Sequence, residues 1–424
     1  MKTIIKNATI FTQNRNRDII ERGYIVIEDS VISALGSNIK MSKHGHKEID
    51  AQGLWVLPGF VNSHVHLGET IYGPLITGSY SLSDYLHQTE RLSKKFKPFE
   101  AERNVVASYS LLQLLISGCT TISGGRTSES AEHFKLRNVS GYMLMKSPKL
   151  KHYSENFQAK FLDLLNNKNS PLTNHSIFIH SLSTIDKTIL RAISKLMIEN
   201  PNIRLMIHIA EDKGSKKAAR EVYKLSPVEV LQSAGLLSNK TLLIHANNLT
   251  SKEFKMVQQA GAHVIHCLSS NMKVANKTID LQDLLSKNIN IAIATDGVVT
   301  GSDFSILREA GNAYRYHNRF NNKSPIPAQR FLDMITINPA RALGLDKTIG
   351  SIEVGKEADI VFLKPPLGVT KSNRVNQLIS YASLVEVRGV MVAGKHILRE
   401  SRVLNHNKSE IENRFNELLA QASH

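Results

Sequence analysis

Apolar positions in the middle of the chain recur in short β-branched runs, each closed by a polar tip and followed by a stretch with helical spacing. The runs are WVLPGFV (55–61), CTTIS (119–123), GYMLM (141–145) and SIFIH (176–180). They continue with IRLMIHI (203–209), TLLIH (241–245), AHVIHC (262–267) and INIAIAT (289–295). Within 99–117, Val105, Tyr109, Leu112, Leu115 and Ile116 share one face ahead of Gly118, which predicts a helix. Another helix is predicted over 226–234, opened by Ser226 as N-cap and Pro227 at its first position. Near-continuous apolar strands alternating with helices predict a parallel sheet covered by helices. Eight such units fit an α/β architecture, a closed TIM-like (β/α)8 barrel over 55–345. An open doubly wound sheet is the alternative, but no glycine-rich dinucleotide loop follows the first strand.

The two ends of the chain keep a different rhythm. Residues 1–54 (TIIKNATIF, GYIVIEDSVISALG, HKEIDAQG) read as short alternating strands joined by turns. The segment 346–405, with GSIEVGKEADIVFLK and LVEVRGVMVAGKHIL, reads the same way. Two β segments flanking a barrel are expected to meet in one small β-sandwich built from both ends. Residues 406–424 read as a final polar helix.

Composition narrows the class. At 42% hydrophobic and 21% charged, the 424 residues are those of an ordinary globular protein with room for a large core and a companion domain. No stretch approaches the roughly 20 apolar residues a membrane helix needs, so no membrane partner is expected. The start, MKTIIKNATIFTQNRNRD, lacks a small-residue cleavage site and alternates like a strand, which makes a cytoplasmic address the expectation. Cys119 and Cys267 both lie in apolar runs, against a disulfide framework or a cysteine zinc site. The net charge of +16 is spread over dispersed lysines with short clusters such as KGSKK at 213–217. Without aromatic interleaving this is a solvated basic surface, and no nucleic-acid partner is expected.

The tips of the runs carry the chemistry. The first ends in His64 and His66, the fourth in His180, the fifth in His208 with Glu211 just after. The sixth ends in His245, the seventh in His266 and the SSNMK loop with Asn271, and the eighth in Asp296 of ATDG. Taken singly, each is most simply a capping or core residue. As a set they fall at strand ends, where active sites of such barrels sit, and in no strand middle except His263. Residues two apart on a strand face the same side, so His64 and His66 converge. Three imidazoles and a carboxylate suit a borderline ion such as Zn²⁺ or Fe²⁺ with a position left for water. Such an ion generates hydroxide at neutral pH. Glu211, three residues beyond His208, is placed to act as general base and then deliver the proton to the leaving group. His245 is placed to orient the hydroxide or steady developing charge.

With these motifs in order, the chain resembles the amidohydrolase superfamily. Within it, the likeness is to the branch of cytosine, guanine, S-adenosylhomocysteine and 5′-methylthioadenosine deaminases and the triazine chlorohydrolases. The resemblance rests on LPGFVNSHVHLGE, MIHIAED, LLIHANNLT, HCLSSNMK, ATDG and GSIEVGKEADIVFL, and covers almost the whole chain. It implies one divalent metal ion, zinc or else iron, on His64, His66, His208 and Asp296. It also implies Glu211 as proton shuttle and His245 as a catalytic, usually non-ligating contact. Asp296 serves both sets. Members with two metals bridge them with a carboxylated lysine at the fourth strand end, where this chain has His180. The resemblance implies substrate contacts at His180, Thr300 and Tyr85, and Asn271 joins that set. A carboxylate that holds ribose in the nucleoside deaminases falls near QTERLSKK, where Glu90 and Lys94 compete. Leu268 replaces the usual proline of the seventh-strand motif, and the fourth-strand motif is IHSLST.

The expected function is a metal-dependent hydrolytic deaminase of an amino-substituted heteroaromatic ring, a purine base or nucleoside or a related adenosine derivative. The alternatives are hydrolysis of a cyclic amide or an aryl C–Cl bond on the same scaffold, or a non-catalytic binding protein that kept the fold. A binding module has no need of a proton shuttle. The expected partners are a small-molecule substrate and a second copy of the chain in a homodimer.

Overall fold

The structure, a computed structural model, describes residues 2–37, 46–76, 78, 80–96, 100–145, 156–166, 170–301, 303–319, 324–366, 368 and 370–423. The repeated strand–helix theme closes into a parallel barrel. Its first strand is Phe60–His66, followed by Cys119–Gly125, Arg137–Leu144 and Thr173–Ile179. The fifth to seventh are Arg204–Ile209, Thr241–His245 and His263–His266. The eighth is split into Ile291–Ile293 and Asp296–Gly297. Its first half pairs with the seventh strand, and its second half pairs with the first strand through Asp296↔Val65 and Gly297↔His66. That split strand closes the ring and carries Asp296 to the side of His64 and His66.

The run at 55–61 is two strands. Trp55–Pro58 pairs with Lys2–Phe11 and antiparallel with Ile360–Lys364, and the chain then turns at Gly59 into the barrel. Trp55–Pro58 thus lies in the terminal sheet, and the barrel strand begins at Phe60. The ends do meet: one nine-stranded mixed sheet runs from the N-terminal strands through Trp55–Pro58 to Glu386–Val392, Lys395–Arg399 and Arg402–Val403. It folds over its own core of Ile5, Ile25, Val56, Ile360, Phe362 and Met391. Trp55–Pro58 alternates between this core and the barrel's, since Trp55 and Leu57 pack on the barrel side. A buried ion pair pins sheet to barrel: Arg137 Nε and Nη2 donate to Asp359 Oδ2 and Oδ1 at 2.9 and 3.0 Å.

Local signals hold where they were strongest. The helix expected over 99–117 runs Glu100–Ile116, residue 99 lying outside the described residues, and Gly118 at φ +93° ends it. Pro227–Ser233 is opened by Ser226 and Glu229 in a reciprocal capping box. The last helix, Lys408–Ser423, is amphipathic: Phe415, Leu418 and Ala422 are buried, and Phe415 stacks on Tyr109 with ring centroids 3.9 Å apart. Among the described residues, no helix is long and apolar enough to cross a membrane.

Candidate active site and metal centre

The C-terminal strand ends gather their polar tips on the floor of a cavity of about 400 Å³. His64 and His208 bring their Nε2 atoms to 3.1 Å of each other. Asp296 Oδ1 stands 3.2 Å from His64 Nε2 and 3.2 Å from His66 Nε2. Four ligand atoms around a tetrahedral zinc sit roughly 3.3 Å apart, so the spacing fits one divalent ion. The protonation chemistry fits as well. Burial, reinforced by repulsion from His66, lowers His64 to about 4, and burial with the neighbouring imidazoles takes His208 well below its usual value. His64 Nε2 and His208 Nε2 face each other at 3.1 Å, close enough to share one ion. Burial alone would lower His66 too, yet Glu69, Asp296 and Glu211 raise it to about 9, the mark of a carboxylate-rich site that calls for positive charge. His208 Nδ1 donates to the carbonyl of His180 at 3.1 Å, which turns the Nε2 lone pair to the centre.

Asp296 reaches this point through a left-handed backbone, φ +61°, and its second oxygen accepts from Ser270 Oγ at 2.7 Å. Burial opposes its ionisation, but hydrogen bonds and charge from His64 and His66 hold the carboxyl well below the ordinary range. His245 also sits at positive φ, +68°. Such backbone is rare for non-glycine residues and persists where surrounding structure enforces it. A second cluster of His245, Cys267 and Asp296 lies near, in which burial raises the Cys267 thiol well above its usual pKa.

Glu211 lies 3.8 Å from His245 Nε2, its carboxyl raised by burial against the pull of His245. Its backbone carbonyl accepts from the side-chain amides of Asn247 and Asn248 at 3.2 and 3.0 Å. Those contacts fix more than the loop. Since Asn247 Nδ2 faces a carbonyl, its Oδ1 must face Asn271, accepting from Asn271 Nδ2 at 3.0 Å. Asn271 Oδ1 is then the atom facing His245 Nδ1 at 3.1 Å. The proton of a neutral His245 is thereby held on Nδ1, and Nε2 presents its lone pair to the cavity.

Of the other residues expected here, His180, Tyr85 and Thr300 line the cavity. Thr300 Oγ1 is turned inward, 3.3 Å from the Gly297 carbonyl and 3.5 Å from Asp296 Oδ2. Asn271, expected at the substrate, is fully buried on the helix Leu268–Lys273 behind His245 and is not among the residues lining the cavity. Glu90 and Lys94 do not line it either; they pair with each other at 2.6 Å on the exposed face of the helix Leu82–Lys95. The residue missed is Glu69, which lines the cavity and accepts from the Tyr85 hydroxyl at 2.7 Å. It ends the stretch HVHLGE, and its signal was a carboxylate three residues beyond His66.

A centre of this kind on the rim of a (β/α)8 barrel defines the class as a metal-dependent hydrolase. The profile of the Amidohydrolase family matches residues 55–397, and the chain belongs to that family. A 5-methylthioadenosine/S-adenosylhomocysteine deaminase of Pyrococcus furiosus is 28% identical, the match covering 97% of this chain and 99% of that protein. A 5′-deoxyadenosine deaminase of Methanobrevibacter smithii is 28% identical over 96% of this chain and 95% of its own. Among solved structures, a zinc-bound adenosine deaminase from Xanthomonas campestris superposes with a TM-score of 0.89 at 20% identity, covering 99% of this chain and 98% of that one. An atrazine chlorohydrolase from Arthrobacter aurescens reaches 0.90 at 19%, covering 98% and 100%. These likenesses in structure share the fold.

Proposed function

We propose that this protein is a mononuclear, metal-dependent deaminase of an amino-substituted heteroaromatic ring, acting on adenosine derivatives or related purines. The observation that carries the reading is Glu211: a carboxyl raised by burial, beside a ligand cluster yet outside it, in a chain whose full-length relatives are named as deaminases of adenosine derivatives. His64, His66, His208 and Asp296 would hold the ion, and zinc suits three imidazoles with one carboxylate. When bound, the ion lowers the pKa of a water towards neutrality.

The chain's own residues supply the rest. Glu211 takes a proton from the attacking water at its carboxylate and passes it to the departing amine. Water thus adds at the C–NH₂ carbon, the C–N bond breaks, and ammonia leaves. His245, with Nδ1 committed to Asn271, points the Nε2 lone pair at the same region, where it accepts from the attacking water and orients it. Thr300 and His180 border the ring position.

The test is ammonia release by zinc-loaded protein across adenosine derivatives, free purines, pyrimidines and pterins. Turnover of at least one adenosine derivative or purine is expected. Silence on the whole panel, with chloride released from a chlorotriazine or a cyclic amide opened instead, replaces this reading with the other hydrolysis.

A further inference from the structure

The protein carries a net charge of +16, yet among the described residues no lysine or arginine lines the cavity. Four carboxylates do: Glu69, Glu211, Asp212 and Asp296. The helix Lys213–Tyr223 shows how the separation is built. Its small residues Gly214, Ser215 and Ala218 face the cavity, while Lys213, Lys216, Lys217 and Arg220 line a separate hollow with Asn248. On this helix the basic residues are thus turned away from the cavity.

Three of the four carboxylates already have partners or tasks. Asp296 meets His64 and His66, and Glu211 stands by His245. Asp212 caps the helix, accepting from the Ser215 amide at 2.6 Å. Glu69 differs. Its Oε2 takes the Tyr85 hydroxyl, whose pKa burial and Glu69 itself push far upward so that it stays a donor, and its Oε1 has no partner among the described residues. Glu69 also sits close against the Asp296 loop: a Cβ on Gly297 would come within 3.3 Å of Glu69 Oε2, so glycine there leaves room for the carboxylate. Glu90, on the outer face of its helix, offers nothing to the cavity.

We propose that Glu69, seated on Tyr85, makes this pocket select substrates whose tails are neutral or cationic and carry hydroxyl or ammonium donors, and reject tails bearing phosphate. This rests on the deaminase reading and names its substrate class. An anionic tail entering the cavity meets an acceptor with no lysine or arginine beside it among the described residues, whereas a hydroxyl or ammonium completes the free oxygen. At an effective dielectric of about 20, one like charge some 6 Å away weakens binding by on the order of a hundredfold, and partial solvation brings that towards tenfold.

The experiment uses three probes that share the adenine ring and differ at the 5′ position: 5′-amino-5′-deoxyadenosine, adenosine and adenosine 5′-monophosphate. Ammonia release gives kcat and KM for each with zinc-loaded wild type, Glu69→Gln and Tyr85→Phe. The wild type should rank cation, then neutral, then phosphate in kcat/KM. Glu69→Gln should compress the ratio of the first to the last by about tenfold, chiefly through KM, and Tyr85→Phe should compress it less. A wild type that favours the phosphate, or a Glu69→Gln protein with melting temperature and zinc content intact and the ratio unchanged, overturns the proposal while leaving the deaminase reading in place. If none of the three releases ammonia or competes with the others for binding, the deaminase reading falls for adenosine derivatives and this proposal falls with it.

Discussion

The two rims of the barrel are built from the same residue types and put them to opposite use. On the C-terminal rim, Nε2 atoms of His64 and His208 face each other, His245 and Asp296 stand on left-handed backbone, and Glu69 keeps an oxygen without a partner among the described residues. On the N-terminal rim, Arg137 is forked onto Asp359, which also accepts from the Ala393 amide at 2.8 Å. There too His263 is fully engaged: its Nε2 donates to the Asn239 carbonyl at 3.1 Å and its Nδ1 accepts from Asn290 at 3.0 Å. A polar group whose bonding is completed inside the fold stabilises it. One left incomplete at a cavity is available to a ligand. That difference explains why His263, at the opposite rim, has no part in the site.

The largest expected effect tests the upper rim. Glu211→Gln should lower deaminase turnover by on the order of 10²–10⁴ with metal content and melting temperature unchanged. Asp296→Asn should instead lose the ion, because it removes the anionic ligand of the set. Elemental analysis alongside ammonia release separates the two, and a Glu211→Gln protein that loses its metal makes Glu211 a ligand.

The lower rim should answer in stability. Arg137→Met strands the Asp359 carboxylate in the interior, which should cost about 3–5 kcal/mol. Urea unfolding reads this loss, while turnover per folded molecule should stay near wild type. A large fall in turnover without loss of stability would erase the distinction between the rims.

Asn271 stands between the two behaviours, buried like a lower-rim residue but bonded to His245. Asn271→Leu should cost roughly 1–3 kcal/mol by leaving the Asn247 amide unsatisfied, and should lower turnover by about tenfold as His245 loses its fixed tautomer. Stability lost with turnover intact would show that the tautomer does not matter to the reaction.

The smallest effect is in pH dependence. Burial lowers His263 from 6.5 to about 4, outweighing the hydrogen bond to Asn239. The unfolded chain therefore takes up this proton first, so the stability is fully present above about 6.5 and fades as pH falls towards 4. His263→Gln should show a shallower decline in melting temperature across that window, with activity at pH 7 within about twofold of wild type. Because His64 and His317 also drop to about 4, the difference between the two proteins is the quantity to read. Equal slopes would mean that His263 does not titrate with unfolding.

Much of this protein is determined by local rules that act within a few residues. Apolar runs set the order of the barrel strands, the Ser226 box and Gly118 set helix ends, and a period of two puts His64 and His66 on one side. The four expected ligands could be named because each ends a strand, and strand ends of a closed barrel converge. What depends on closure itself was out of reach. The break at Gly59 reflects competition between two sheets for one apolar run, and the pairing of Asp296–Gly297 with the first strand joins residues more than 200 positions apart. Glu69 and Glu90 look alike in the sequence, and so do Asn247 and Asn271 as amides near strand tips. Only the path of the helix Leu82–Lys95 decides that Tyr85 turns inward onto Glu69 while Glu90 faces solvent, and only the packing of the helix Leu268–Lys273 puts Asn271 behind His245. Backbone periodicity is a property of neighbours in the chain; the company a side chain keeps in a cavity is set by long-range packing, which no short window of sequence contains.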